Sequence, residues 1–449
     1  MGLAAKQRRT RTLIVGLGKT GLSCARFLAA HGEEIAITDS RERPPGLAEL
    51  RALLPDAAVF LGGFSEDALR RADRIVLSPG VAIGSPFIAK ARSLGLPVLG
   101  DIELFAHYAR APIVGITGAN GKSTVTTLLG VMAEQAGKKV RVGGNLGTPA
   151  LDLLAKDEPD LYVLELSSFQ LEITDSLPCV AATVLNLSPD HMDRYAGMAE
   201  YAAAKARIFR HCRTAVLNRE DPLVRVMAGD VKRRVSFGLD APQPGDYGVL
   251  GAGADEWLAR GAEKLIPASV LRIQGRHNLA NALAALALGE AAGLPLPAML
   301  TALEGFHGLP HRMAFVAAVH GVGYYDDSKG TNVGATLAAV QGVTQPLVLV
   351  AGGDGKGQDF APLAAALAGK ARAVVLLGKD ADEIEKALAG RVPSRRVKDM
   401  DAAVLAAAEL AQAGDLVLLS PACSSLDMFD NFEHRGRVFA AAVRRLTGE

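Results

Sequence analysis

Short apolar runs rich in β-branched residues alternate with Ala/Leu-rich amphipathic stretches along nearly the whole chain, and this alternation constrains the fold most. Strands that are apolar throughout must be covered on both faces, as in parallel sheets flanked by helices. The class is therefore α/β. At 449 residues the chain exceeds what one hydrophobic core organises, and the strands fall into three series. Residues 12–15, 35–38, 74–77 and 97–99 read as strands of a small doubly wound unit. Residues 112–117, 161–166, 181–186 and 214–218 form a second series, followed by a Gly/Pro-rich stretch at 238–253 that reads as turns on a smaller antiparallel addition. A strongly helical segment at 278–292 comes next, and Gly308, Leu309, Pro310 and His311 close the unit. Residues 323–326, 346–350, 373–377 and 415–419 give a third parallel series. The expected domains are 1–110, 111–308 and 309–449, each with a mostly parallel sheet flanked by helices: Rossmann-like, P-loop ATPase-like and Rossmann-like.

Charge is balanced, 49 Lys plus Arg against 48 Asp plus Glu, so no overall field draws the chain to nucleic acid or an anionic membrane. Any anion has to be caught locally. Cys24, Cys179, Cys212 and Cys423 are widely spaced, without a CxxC pairing, and read as reduced cytosolic thiols. A basic patch, Arg8, Arg9 and Arg11, precedes an apolar run that Gly16 and Gly18 cut short of a signal-peptide core. No apolar run approaches the roughly 18 residues that span a bilayer. The expectation is a cytoplasmic monomer.

Two glycine loops carry the chemistry. Gly16, Gly18 and Gly21 form a complete G-x-G-x-x-G between a strand and a helix, with Asp39 at the end of the next strand. Such a loop lets backbone approach a pyrophosphate, and Asp39 is placed to accept from a ribose or base. A glycine turn that serves only close helix packing remains the alternative. The second loop, residues 115–124, follows an apolar strand and ends in Gly121, Lys122, Ser123 and Thr124 at a helix start. Successive N–H groups there wrap phosphates, Lys122 neutralises the β and γ phosphates, and a hydroxyl of Ser123 or Thr124 holds Mg²⁺. It departs from the strict P-loop pattern, with Ile116 in the first glycine position.

TGANGKST (residues 117–124) resembles the ATP loop of the Mur ligases. The resemblance continues through GGNLGTPAL (143–151), LELSSFQLE (164–172), LNLSPDHMDRY (185–195), GRHNLANALAALAL (275–288), GLPHRM (308–313), DDSKGTN (326–332), GGDGKGQDF (352–360) and LLSPACSSLDMFDNFEHRG (418–436). GLGKTGLS (16–23) and GDIELF (100–105) are similar to members that add D-glutamate. The chain departs from the family pattern at Lys19, in place of an apolar residue, at Asp326, in place of Asn, and at Gly330, in place of Ala.

The resemblance implies an ATP-dependent ligase that joins D-glutamate to UDP-N-acetylmuramoyl-L-alanine through an acyl phosphate in peptidoglycan precursor synthesis. ATP and Mg²⁺, two ions, are the implied cofactors. Gly118, Ala119, Asn120, Gly121, Lys122, Ser123 and Thr124 would cradle the phosphates, with Asn278 and Asn281 around the adenine. Arg312 would face phosphate charge, Asp327 the ribose hydroxyls and Lys329 the developing acyl-phosphate charge. Ser123 or Thr124 with Glu165 would hold one Mg²⁺, and His191 the second. Lys205 reads from sequence as a solvated helix lysine; the resemblance implies a carbamylated metal ligand. Thr20, Asp39, Ser40, Arg41 and Gly80 match the uridine-diphosphate site, and Asn145 and Ser167 match positions around metal and substrate phosphate. Thr331, Lys356, Ser425, Leu426 and Phe432 match the amino-acid site. On the residues alone, capping or turn roles for Ser167 and Asn278, and surface ion pairs for Arg312, Asp327 and Lys329, stay open. So do other readings of the whole chain: a nicotinamide-dependent dehydrogenase on the first loop, a nucleotide-binding regulator, and a ligase for another amino acid or for folate.

Overall fold

The computed structural model describes residues 9–154, 157–273 and 275–447; Arg8 of the basic patch lies outside them, as do the outer ends of the first and last expected domains. Each strand series forms its own sheet. The first holds β1 (Arg11–Val15), β2 (Glu34–Asp39), β3 (Ala58–Leu61), β4 (Arg74–Leu77) and β5 (Val98–Leu99), all parallel, in the order β3-β2-β1-β4-β5. The order reverses between β1 and β4, and the first glycine loop leaves β1 there, where α/β sheets open a ligand crevice.

The second sheet holds β6 (Ile113–Thr117), β7 (Val140–Gly144), β8 (Leu161–Glu165), β9 (Cys179–Val184), β10 (Thr214–Asn218), β11 (Arg233–Phe237), β12 (Tyr247–Leu250), β13 (Trp257–Arg260) and β14 (Glu263–Pro267), in the order β14-β13-β12-β11-β10-β9-β6-β8-β7. Only β12-β13-β14 pair antiparallel, which is the smaller addition expected at the Gly/Pro-rich stretch, although β12 lies inside residues 238–253, read there as turns. In the helix Lys122–Gln135, Val125, Leu128, Leu129, Met132 and Ala133 are buried, the i, i+3, i+4 spacing of a core-facing stripe. The helix Arg276–Ala291 packs against it and is buried on nearly every side from Leu279 to Gly289, while Arg276 at its start is exposed.

The third sheet holds β15 (Ala314–Val319), β16 (Val322–Asp326), β17 (Leu347–Ala351), β18 (Ala371–Leu376), β19 (Ser394–Arg396) and β20 (Leu416–Leu419), in the order β15-β16-β20-β17-β18-β19. All pair in parallel except β15, an antiparallel edge strand. Among the described residues no helix is long and apolar enough to cross a membrane.

Gly21 lies where the helix Lys19–Ala30 crosses closest to the first loop. A Cβ there would stand 2.0 Å from the carbonyl oxygen of Gly16, backbone that cannot swing away. At Gly18 a Cβ would meet nothing within 4 Å. Gly21→Ala should therefore cost about 2 kcal/mol through forced overpacking, while Gly18→Ala costs about 0.5 kcal/mol or less. Urea unfolding combined with hydrogen exchange at β1 and β4 checks the contrast, and equal costs would refute the packing role of Gly21.

Candidate functional site

The ATP loop leaves β6, flanked by β8 and β9, so Glu165 at the end of β8 and Asn186 just past β9 face it from either side. Asn186 holds the loop in shape: its side chain accepts from Asn120 N–H at 2.8 Å and donates to the Asn120 carbonyl at 3.0 Å. Gly121 has φ +85, and a Cβ there would lie 2.4 Å from Asn281 Oδ1, so loop and helix Arg276–Ala291 meet at a position where only glycine fits. Lys122 donates to the carbonyls of Gly118 and Ala119, both at 2.9 Å, and its pKa is lowered chiefly by burial.

One cavity lies between the central and third domains. Asn120, Gly121, Thr124, Asn278, Asn281, Arg312, Asp327 and Lys329 line it, with Asn186 and His277. Asn278 is the third residue of its helix, past the cap position held by Gly275, and its side chain accepts from Asn281 at 3.1 Å. The capping alternative is thereby replaced by a pocket wall. Asp327 is buried and receives Ser420 Oγ at 2.7 Å; burial still lifts its carboxyl to about 7. Arg312 is lowered by burial against the pull of Asp327 and Glu165, so neither residue forms a surface ion pair.

A second cavity runs from the first glycine loop to the ATP loop. Thr20, Asp39, Ser40, Arg41 and Gly80 line one end, and Asn145, Ser123, Glu165, Lys329 and Phe432 the other. Lys19 lines it too and adds a cation. Lys329 borders both cavities. Its ammonium lies 3.7 Å from the centre of the Phe432 ring, and burial, with Arg312 second, brings it down to about 8, so it stays mostly charged at neutral pH. Asp39 does not present a free carboxylate. It accepts from Leu17 N–H (2.7 Å) and from the backbone and guanidinium of Arg41. Its work is to fix the loop and aim Arg41, which is half exposed.

Glu165 takes one hydrogen bond, from Asn145 at 2.8 Å, while its Oε2 is buried without a partner. Thr124 Oγ1 is likewise buried and unpartnered. Two orphaned hard oxygens beside a phosphate loop suit Mg²⁺, which prefers oxygen ligands and keeps several positions for water or phosphate. Among the described residues no group of three or more His, Cys, Asp or Glu side chains stands ready as a metal site by itself. His191 has φ +59, packs against Phe169, and is lowered to about 4 by burial, which keeps its imidazole neutral and fit to ligate. Lys205 is not solvated. It is buried, its ammonium meeting Gly118 O at 2.9 Å and Thr117 Oγ1 at 3.3 Å, with its pKa well below the usual value, chiefly through burial and then through Lys122.

The amino-acid positions are less gathered. Lys356, at φ +52, reaches Asp190 at 3.3 Å and lines a third, wider cavity with His191, Ser424 and Leu426. Burial pushes the Asp190 carboxyl up, but His191, Lys356 and Lys122 outweigh it and hold it low. Phe432 borders the second cavity instead, and Ser425 and Thr331 line none of the three. Ser167 caps the short helix Ser168–Leu171 in a reciprocal pair with Gln170, the capping alternative, while Gln170 itself lines the second cavity. Gly330 leaves room for Asp327: a Cβ there would stand 2.9 Å from its Oδ2. Asp326 accepts from His311 at 2.6 Å and from Ser328 N–H at 2.9 Å. Reading the sequence missed Asn186, Asn332 and Asp190. Asn332 exchanges hydrogen bonds with Asn120 of the ATP loop, at 3.2 and 3.4 Å, and so ties the third domain to it.

Three Mur ligase family models match the chain: the MurD-like N-terminal domain over residues 10–100, the middle domain over 116–289 and the glutamate ligase domain over 311–423. The chain belongs to the Mur ligase family, whose members are ATP-dependent ligases. Among its curated relatives, the UDP-N-acetylmuramoylalanine–D-glutamate ligase of Nitrosococcus oceani is 56% identical over 437 residues, covering 97% of this chain and 96% of that one. The corresponding ligase of Pseudomonas aeruginosa is 55% identical over 438 residues, 97% of this chain and 98% of that one. Of solved structures, UDP-N-acetylmuramate–alanine ligase from Thermotoga maritima shares the fold with a TM-score of 0.62 at 20% identity, over 98% of this chain and all of that one. A pseudomurein peptide ligase type C from Methanothermus fervidus does so with a TM-score of 0.63 at 17% identity and the same coverage.

Asp39 titrates at about 2 in the folded chain, below its usual 3.8. A depressed carboxylate stabilises the fold above its ordinary pKa and loses that contribution as pH falls toward the folded value. Asp39→Asn should cost ~1–2 kcal/mol at pH 7, after discounting for the half-exposed Arg41. The gap between variant and parent should narrow below pH 4. Urea midpoints measured across pH 2.5–7 test this, and a gap independent of pH contradicts it.

Proposed function

We propose that this chain joins D-glutamate to UDP-N-acetylmuramoyl-L-alanine at the expense of ATP, releasing ADP and phosphate, as its relatives' names describe. The observation that carries the reading is Lys329, which borders both the cavity behind the ATP loop and the cavity from the uridine-diphosphate end. A carboxylate in the second cavity and a γ-phosphate in the first would meet beside that one ammonium. Full-length identity of 56% to a D-glutamate ligase favours this amino acid over others. The dehydrogenase alternative leaves the second loop, with its orphaned oxygens, unexplained.

The substrate carboxylate attacks the γ-phosphorus of ATP, the bond to the β,γ-bridging oxygen breaks, and ADP leaves. The amine of D-glutamate then attacks the acyl carbon, phosphate departs, and a proton passes from nitrogen to solvent. Such a transfer between anions needs cations and alignment more than a base. Lys122 and Arg312 neutralise the triphosphate, and Lys329 the acyl-phosphate oxygens. Asn278 and Asn281 border the adenine, Asp327 the ribose. Glu165 with Ser123 or Thr124 would hold one Mg²⁺, and His191 with Lys205 a second. Bound there, Mg²⁺ would supply charge neutralisation and orientation of the phosphates. Closure of the third domain over the nucleotide would keep water from the acyl phosphate.

Lys205 fits the second metal only in another chemical form, because an ammonium repels a cation. Burial holds its amine toward neutrality. The neutral nitrogen adds to the carbon of CO₂, one C=O π pair moves to oxygen, and a proton leaves to solvent, giving an anionic carbamate. Thr331, Lys356, Ser425, Leu426 and Phe432 would receive D-glutamate, Lys356 exchanging its partner Asp190 for a substrate carboxylate.

Lys122→Ala should lower kcat for phosphate release about 100-fold or more, roughly 3 kcal/mol, while the UDP-linked acceptor still binds. The assay supplies ATP, Mg²⁺, the acceptor and a panel of amino acids. Release dependent on D-glutamate is expected, and equal release with any other amino acid refutes the specificity. Lys205→Ala should lose most activity and regain part of it with short-chain carboxylic acids that restore an anionic oxygen; full activity in Lys205→Arg would overturn the carbamate.

A further inference from the structure

Arg194 belongs to the central domain and lines the third cavity, and its guanidinium bridges the first two domains. Its guanidinium donates to the carbonyl of Pro79 at 2.7 Å and to that of Val81 at 3.3 Å, both in the first domain. It also pairs with Glu172 at 3.3 Å and stacks 3.8 Å from the centre of the Phe169 ring. Both charged partners are nearly covered, 15% and 12% exposed, so the contact is a held geometry and not a surface encounter.

What Arg194 grips leads straight to the diphosphate end of the acceptor cavity. Pro79, Gly80 and Val81 line that cavity beside Gly16 and Arg41. Val81 N–H closes a turn onto Ser78 O at 3.0 Å, and Ser78 Oγ donates to Gly16 O at 2.8 Å. A shift of the 79–81 segment therefore shifts the first glycine loop. What carries Arg194 leads to the other end. Its N–H bonds His191 O at 2.9 Å, and Phe169, under its guanidinium, packs edge-on against the His191 ring at 4.8 Å. One planar cation thus spans the two places whose separation must match the length of the acceptor.

We propose that Arg194 is a positioning residue that sets the distance and angle between the uridine-diphosphate loop and the phosphoryl-transfer end of the site, and so governs recognition of the UDP-linked acceptor. The inference rests on the ligase reading above. Guanidinium geometry is required: three N–H contacts from one planar fork, with an aromatic ring against its face, cannot be reproduced by a lysine ammonium. The nucleotide cavity is formed by other elements and should be indifferent to the change.

The test is steady-state phosphate release with Arg194→Ala and Arg194→Lys beside the parent chain, varying acceptor and ATP separately. Activity of the parent with acceptor and D-glutamate establishes the ligase reading independently of the variants. Arg194→Ala should raise KM for the acceptor about tenfold or more, by loss of two charge-assisted hydrogen bonds, with KM for ATP changed less than twofold. Arg194→Lys should fall between. Added guanidinium at millimolar concentration, well below denaturing levels, should restore part of the acceptor affinity in Arg194→Ala, and methylammonium should not. An unchanged acceptor KM, a matching loss of ATP affinity, or absence of guanidinium rescue in a variant that folds would each overturn the proposal. If Arg194→Ala does not fold, the same acceptor-selective KM shift in Arg194→Lys supports it and equal shifts for both substrates sink it.

Discussion

Four cations, Lys122, Lys205, Arg312 and Lys329, all feel the buried carboxylate of Glu165 without forming an ion pair with it, and the other buried carboxylates nearby, Asp190 and Asp327, leave the cations in excess. Most of the candidate site follows from this imbalance. Buried charges of one sign raise one another's energy, and burial lowers the pKa of all four. The arrangement is complementary to a polyanion, so charge that is unfavourable in the empty pocket becomes favourable when a triphosphate enters. A preorganised field of this kind needs no rearrangement as negative charge migrates during transfer.

The cations reach one point because the central and third domains direct them toward a common centre. The central sheet contributes the phosphate loop and Glu165 from neighbouring strands, while Arg312 and Lys329 come from either end of the β15-β16 hairpin of the third domain. Asn332 joins the two bodies by exchanging hydrogen bonds with Asn120, and it also caps the helix Val333–Gly342. The catalytic surface is thus completed at a boundary, and neither domain alone carries the whole set.

Interior strands were legible in the sequence because they are continuous apolar runs: β4 and β10 have the bounds that their residues suggest. Among edge strands β5 was legible too, but three others were not. β3 and β19 carry exposed residues, β7 ends in two glycines, and their pairing comes from the neighbouring strand more than from their own pattern. The phosphate loop was legible because strand, glycines, lysine and hydroxyl are consecutive. Lys205 was not, since only the packing of the helix Met198–Ala206 onto the loop removes it from water. Asp39 was read as a ligand group, yet its oxygens serve the backbone of Leu17 and the guanidinium of Arg41, a satisfaction that no spacing reveals. Arg194 sits inside a recognisable motif, but the carbonyls it grips, those of Pro79 and Val81, are more than a hundred positions away.

The helix Arg276–Ala291 has almost no free face, and its consequence reaches beyond stability. Asn281 abuts Gly121 at one end, while Met299 and Leu129 close on Gly289 at the other. In a medium packed this tightly, displacement is transmitted rather than absorbed. Sequence drift in that interior is therefore not silent toward the nucleotide: an exchange of one aliphatic residue for another, far from any phosphate, moves the wall against which the adenine would rest. For this chain, tolerance to mutation in the core and tolerance in the nucleotide pocket are a single property.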